Sequence, residues 1–120
     1  MCGIAGVVRL DPGAVRPDDA LLRRMLGALR HRGPDAFGTY RDGIAGLAHA
    51  RLSIIDLSTG QQPLANEDGT LWIVFNGEIF NYLELRDELL AKGHRFRTSS
   101  DTEVLVHAWE EWGDDTLSRL

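Results

Sequence analysis

The chain opens on an uncharged run, Cys2 to Val8, which Arg9 and the turn Asp11-Pro12-Gly13 cut off within a few residues. So short a run cannot cross a bilayer, which takes ~20 apolar residues, and is read as a buried strand. Beyond the turn the chain alternates between helix and strand patterns. Pro17 at a first helical position, with Asp18 and Asp19 against the positive dipole end, starts a helix. Leu21, Leu22, Met25, Leu26 and Leu29 recur at helical spacing, and Gly33-Pro34 stops it. Residues Ile44 to Ile55 read as strand material broken by charges, and Glu67-Asp68-Gly69 as a turn into a buried strand, Leu71 to Phe75. Asn81 caps a second helix with Glu84 as capping-box partner and Gly93 as its end. Ser100 and Glu103 open a third, whose apolar face is Val104, Leu105, Ala108, Trp109 and Trp112 and whose stop is Gly113. The predicted order is strand, helix, strands, helix, short strand, helix, a mixed α/β or α+β chain.

At 120 residues this is one domain with one modest core. Hydrophobic residues at 43% and charged residues at 26% mark a soluble globular protein rather than a disordered one. Thirteen Lys and Arg against 18 Asp and Glu leave a net charge of -5, which opposes nucleic-acid binding and docking on anionic lipid. The start lacks the positive-then-apolar order of a secretory signal, and one cysteine makes no internal disulfide, so a cytoplasmic location is expected. His31, His49, His94 and His107 show no zinc-ligand spacing, so no metal is expected.

Cys2 is the most informative residue because of where it stands. Removal of an initiator methionine is favoured when the next side chain is small. The chain would then begin with a thiol and a free α-amine on one carbon, titrating near ~8.5 and ~7.7–8.0 and able to exchange a proton near neutrality. A terminal amine acting as base for its own nucleophile is an established device. Position alone leaves this open against a small hydrophobe at the head of a strand. Asn76-Gly77 also reads two ways: a two-residue hairpin turn, or an oxyanion hole made by the Asn76 amide and the Gly77 N–H. Arg51 is either a bidentate clamp for a carboxylate or an edge-strand surface residue. Asp101 is either a partner for a substrate ammonium or a first-turn acid. His31-Arg32-Gly33-Pro34-Asp35 is a substrate loop or a basic helix end followed by its stop. A papain-like pairing of Cys2 with His31, His49 or His107 is the rival nucleophile scheme, but such a cysteine lies inside its chain and starts a helix.

In order along the chain stand Met1-Cys2-Gly3-Ile4-Ala5-Gly6, HRGPD (His31 to Asp35), RLSIID (Arg51 to Asp56), QQPL (Gln61 to Leu64), NGEI with Asn81 (Asn76 to Ile79), and SDTE (Ser100 to Glu103). Together they resemble the class II glutamine amidotransferases, and within them the glutamine-hydrolysing asparagine synthetases. Each motif is short; so many in one order, from the second residue nearly to the last, make the resemblance specific. Phe80 departs from it, standing where the family more usually has tyrosine.

The resemblance implies a fold and a chemistry. The fold is the N-terminal-nucleophile hydrolase αββα sandwich, two antiparallel sheets between helix layers, of class α+β and incomplete at its C-terminal end. Residues 1–120 would be the N-terminal part of a type 2 glutamine amidotransferase domain, with further strands and an ATP-using synthetase domain absent. Cys2 would be the nucleophile, forming a γ-glutamyl thioester, with Asn76 and Gly77 as the oxyanion hole. Arg51 would clamp the glutamine α-carboxylate, and Glu78 and Asp101 would hold the α-amine. The chain itself would use no cofactor; ATP and Mg2+ would serve the synthetase domain, where the released ammonia amidates aspartate. Expected partners are glutamine and that domain, with a homodimer of the full-length protein. Thr102 to Gly113 also resembles amidotransferases of exopolysaccharide and exosortase systems, which use another acceptor. A non-catalytic glutamine-binding fragment is the remaining alternative.

Overall fold

The computed structural model describes residues 1–52 and 60–120. The stretch from 53 to 56 of RLSIID, and the end of the strand expected to reach Ile55, lie outside the described residues. The chain forms an α+β fold of two compact units. Among the described residues, the first holds 1–52, 61–63 and 74–76, and the second holds 60, 64–73 and 77–120.

In the first unit, β1 (Gly3–Val8), α1 (Asp19–Leu29), β2 (Ala36–Arg41) and β3 (Ala45–Arg51) build an antiparallel sheet of order β1-β3-β2 with one helix. Asp18 caps α1 by accepting the Leu21 N–H at 2.6 Å. Pro17 therefore lies one residue before the cap, not at the first helical position. Its fixed φ suits the extended entry to the helix as well as it suits the first turn. Period-two alternation puts Gly46, Ala48 and Ala50 of the central strand on one face. Those small residues let α1 approach closely: a Cβ on Gly46 would lie 3.0 Å from Leu22 Cδ2. Leu22, Leu26, Ala48 and Ala50 form the buried core, with Ala5, Val7, Met25 and Leu29 around it. Each leucine so buried contributes roughly 2 kcal/mol. β1 is not fully buried as its apolar run suggested, because alternate residues face outward: Ile4 and Val8 are exposed. β2 escaped the sequence reading, since Ala-Phe-Gly-Thr-Tyr-Arg is interrupted by small and polar residues and carries no continuous apolar signal.

The second unit contains β4 (Leu64–Ala65), β5 (Trp72–Ile73), α2 (Tyr82–Ala91), α3 (Asp101–Trp112) and a 3-10 segment (Gly113–Ser118). β4 and β5 pair antiparallel across the predicted turn, where Gly69 has φ 75°. The strand expected over Leu71 to Phe75 reduces to two residues, with Trp72 exposed. Leu85 and Leu89 of α2 pack on Val104 and Ala108 of α3, flanked by Ile79, Tyr82, Phe96 and Trp112. The face of α3 is rotated from the expected one. Thr102, Glu103, Val106 and His107 are buried and Trp109 is exposed, because polar residues here have partners that repay their burial. No strand separates α2 from α3 among the described residues. Neither expected capping box forms. Asn81 Nδ2 donates to the Arg119 carbonyl at 2.7 Å, and the Ser100 N–H donates to Thr98 Oγ1 at 3.1 Å.

Glu103 is instead a hub for the loop before α3. Its carboxylate accepts the N–H groups of Arg97 and Thr98, both at 2.7 Å, and the Thr98 hydroxyl at 2.6 Å. Burial would raise this carboxyl, but the His107 imidazole 3.7 Å away and the Thr98 and Arg97 donors outweigh it, holding it down to about 2. The stability it contributes is therefore complete above its unfolded value of about 4.5 and is lost as pH falls towards 2. Glu103→Gln keeps the size and gives up the charge. It should lower stability at neutral pH by on the order of 2–3 kcal/mol and flatten the acid limb, as read by urea unfolding from pH ~7 to ~2.

Candidate active site

The first unit carries Cys2, Arg51 and Asn76; the second carries Gly77, Glu78 and Asp101. Gly3 pairs with Ala50, and both face α1: a Cβ on Gly3 would lie 3.1 Å from Leu29 Cβ. Alternation then sends Cys2 to the opposite face, the one shared by His49 and Arg51. The Cys2 sulfur accepts the Leu52 N–H at 3.4 Å and donates weakly to the Leu52 carbonyl at 3.9 Å. It is a free, half-buried thiol at the strand's head. Its hydrogen bonds go to backbone, so the described geometry lends no support to a papain-like pair with His31 or His49.

The HRGPD loop packs around the same strand ends. Arg32 Nε donates to the Cys2 carbonyl at 3.2 Å, and the Asp35 N–H donates to the Arg51 carbonyl at 3.0 Å. A Cβ on Gly33 would collide with the Ala50 carbonyl, so only glycine lets the loop lie this close to β3. The loop thus does more than stop α1: it fixes the backbone on either side of the thiol and the guanidinium.

Asn76 follows a segment held in the first unit by Gln62 of QQPL, whose Oε1 accepts the Phe75 N–H at 2.5 Å. The carbonyl of Gln62 in turn lies where a Cβ on Gly38 would be. The hairpin reading of Asn76-Gly77 fails. The next element is α2, not a strand, and the described glycines with positive φ are Gly60, Gly69, Gly93 and Gly113, whereas a type I′ turn needs positive φ at both central positions. Asn76, Gly77 and Glu78 are all exposed. Asp101 opens α3, and its Oδ2 accepts the Ile79 N–H at 3.0 Å. It is a first-turn acid that also secures the backbone next to Glu78.

His49 was not singled out as a positioning group by sequence reasoning, although the polar alternation His49, Arg51 along β3 marks the face. It is buried, and its Nε2 has no hydrogen-bond partner among the described residues. Burial, then the positive charge of Arg51, push the imidazole below its ordinary range, against a hydrogen bond with the Phe75 backbone. A neutral ring there holds the segment before Asn76 without adding charge beside Arg51. Elsewhere in the second unit, Glu67, His94, His107 and Glu110 gather two imidazoles and two carboxylates within 4.8 Å of one another.

The whole chain, residues 1–120, matches the family described as "Glutamine amidotransferase domain". It is 48% identical to glutamine-hydrolyzing asparagine synthetase 1 of Bacillus subtilis (strain 168), over all of this chain and 19% of that protein. It is 46% identical to glutamine-hydrolyzing asparagine synthetase 1 of Arabidopsis thaliana, over all of this chain and 20% of that protein. A probable glutamine-hydrolyzing asparagine synthetase of Dictyostelium discoideum is 43% identical, with 22% of its length covered. The chain spans about a fifth of the length of these relatives.

Proposed function

The chain belongs to the glutamine amidotransferase domain family, and from that premise we propose that it is the glutamine-hydrolysing part of an asparagine synthetase, with Cys2 as its nucleophile. Once Met1 is removed, the Cys2 α-amine takes the thiol proton and the thiolate attacks the glutamine side-chain carboxamide carbon. A C–S bond forms and the carbonyl oxygen becomes an oxyanion, which the Asn76 amide and the Gly77 N–H stabilise. Collapse of this intermediate breaks the C–N bond. The α-ammonium gives its proton to the leaving nitrogen, and ammonia departs from a γ-glutamyl thioester. Water, deprotonated by the same amine, attacks the thioester; glutamate leaves and the sulfur regains its proton.

Arg51 grips the glutamine α-carboxylate, and Glu78 with Asp101 hold the α-ammonium, atoms that do not react. The observation that supports the reading most is that Cys2 and Arg51 occupy adjacent strand ends on the face turned away from α1, with a thiol that has no side-chain partner among the described residues. In this reading the fold belongs to an αββα sandwich, of which these residues are the N-terminal part. Aspartate activation, ATP, Mg2+ and any dimer contact are assigned to the rest of the protein. No glycine-rich turn followed by lysine occurs in the 120 residues to cradle phosphates, so no step here runs through ATP.

The direct test is glutamate and ammonia release from glutamine by protein that begins at Cys2. Neither product above a no-protein control would contradict the reading. The binding roles have their own signature. Arg51→Ala should raise the glutamine KM by roughly 10- to 100-fold while changing kcat little, since a charge-assisted pair is worth ~1.5–3 kcal/mol. Asp101→Asn should do the same while keeping an acceptor for the Ile79 N–H, separating charge from scaffold. A fall in kcat at unchanged KM would refute both assignments.

A further inference from the structure

The four-group cluster of the second unit is not absorbed by glutamine chemistry, and we propose that Glu67, His94, His107 and Glu110 form a binding site for a first-row divalent cation, Zn2+ above all. The geometry converges. Nδ1 of His94 lies 3.1 Å from Glu67 Oε1 and 3.7 Å from Glu110 Oε2; Nδ1 of His107 lies 3.2 Å from Glu67 Oε2 and 3.8 Å from Glu110 Oε2. Neighbouring ligands of a tetrahedral ion bound at ~2.0–2.1 Å sit roughly 3.4 Å apart, so shifts of a few tenths of an ångström to about an ångström close the shell.

Both imidazoles are prepared for this from behind. Nε2 of His94 meets Glu111 Oε2 at 3.3 Å, and Nε2 of His107 faces Glu103 Oε1 at 3.7 Å. On His94 the Glu111 carboxylate at Nε2 favours the tautomer protonated there and leaves the Nδ1 lone pair for a metal, the carboxylate–histidine–metal arrangement of many zinc sites; on His107 the Glu103 carboxylate stands behind the ring but beyond hydrogen-bond distance. Those outer carboxylates are themselves held, Glu111 by Lys92 at 2.9 Å and Glu103 by its three donors. Without an ion the cost falls on His107. His107 is 1% exposed, yet among the described residues neither of its ring nitrogens finds a hydrogen bond of acceptable geometry. The two rings stand 5.1 Å apart and tilted by 47°, so that both edges turn towards the same two glutamates. A cation between the Nδ1 atoms and the two glutamates satisfies all four groups together. Imidazole with carboxylate selects Zn2+ over Ca2+ or Mg2+.

The ion has a way in: an open cavity of about 480 Å3 is lined by Glu67, Lys92, His94, Arg95, Glu110 and Glu111. The ligands come from the β4–β5 turn, the loop after α2, and α3, so the ion would clamp three segments and act as a structural clasp. Chain spacing cannot reveal such a site, because only His107 and Glu110 are near in sequence.

The experiment uses the chain with Cys2→Ala, so that the N-terminal thiol and amine are not counted as ligands. Chelator-treated protein is titrated with Zn2+ against a chromophoric competitor, in parallel with Glu110→Gln and His94→Gln, each checked for fold by circular dichroism. One equivalent of Zn2+ is expected, with a rise in Tm and at least tenfold weaker binding in either variant. Co2+ should give visible d–d bands that the variants lose. If His94→Gln does not fold, Glu110→Gln, at an exposed position, decides. No uptake above the competitor, or uptake that neither variant weakens, would overturn the proposal and leave a hydrogen-bonded network or adventitious binding only.

Discussion

Cys2→Ala is expected to abolish glutamine hydrolysis, with glutamate release falling at least ~10⁴-fold, while any synthesis from free ammonia by the full-length protein continues. The size follows from the chemistry. Without the thiol the carboxamide has no nucleophile better than water, and the proposed oxyanion donors have no tetrahedral adduct of the protein to stabilise. Cys2→Ser should lose most of the activity too, because a hydroxyl is far harder to ionise than a thiol, and the α-amine is too weak a base to close the gap. The structural cost of either change is confined to the long, weak contacts between the sulfur and the Leu52 backbone. Cys2 precedes β1, and the Gly3 to Ala50 pairing does not involve its side chain. Near-native turnover in Cys2→Ala would remove the proposed mechanism altogether.

Asn76→Ala should lower kcat by about 10²–10³ with a much smaller change in KM, since an oxyanion donor bonds most strongly to the tetrahedral intermediate. The side chain is exposed and its segment is secured through the Phe75 N–H and Gln62, so the substitution leaves the scaffold in place. Steady-state kinetics with glutamine, alongside an unfolding curve, separate the outcomes. A raised KM at constant kcat would mean that Asn76 serves binding. A loss of stability would assign it a structural role instead.

What could be read from the sequence, and what could not, divides along physical lines. The helices were legible because local chemistry marks them: Leu22 and Leu26 at helical spacing, the acids Asp18 and Asp19 near the start of α1, and stops at Gly93 and Gly113, both of which take positive φ. β2 was hidden because a strand made of small and polar residues has no apolar signature, and becomes a strand only through its register with β3. The burial of Glu103 and His107 was hidden for a related reason. An acid at a helix's third position suggests a capping box, whereas this one is claimed by the N–H groups of Arg97 and Thr98. For the residues proposed as catalytic, sequence order supplied the residue types and the fold supplied their neighbours. That Gly33 must be glycine to lie on β3, and that His49 is buried on the face it shares with Arg51, are tertiary facts which no spacing rule contains.

The central claim is that the chain works through a processed N-terminal cysteine, and the most direct measurement is intact mass with N-terminal peptide mapping of protein quenched in acid during glutamine turnover. The account predicts a chain that starts at Cys2 and carries one γ-glutamyl group on its sulfur, a group that hydroxylamine removes. Glutamate accumulating while Met1 remains on the chain, or while the Cys2 sulfur can still be fully alkylated at every time point, would contradict it.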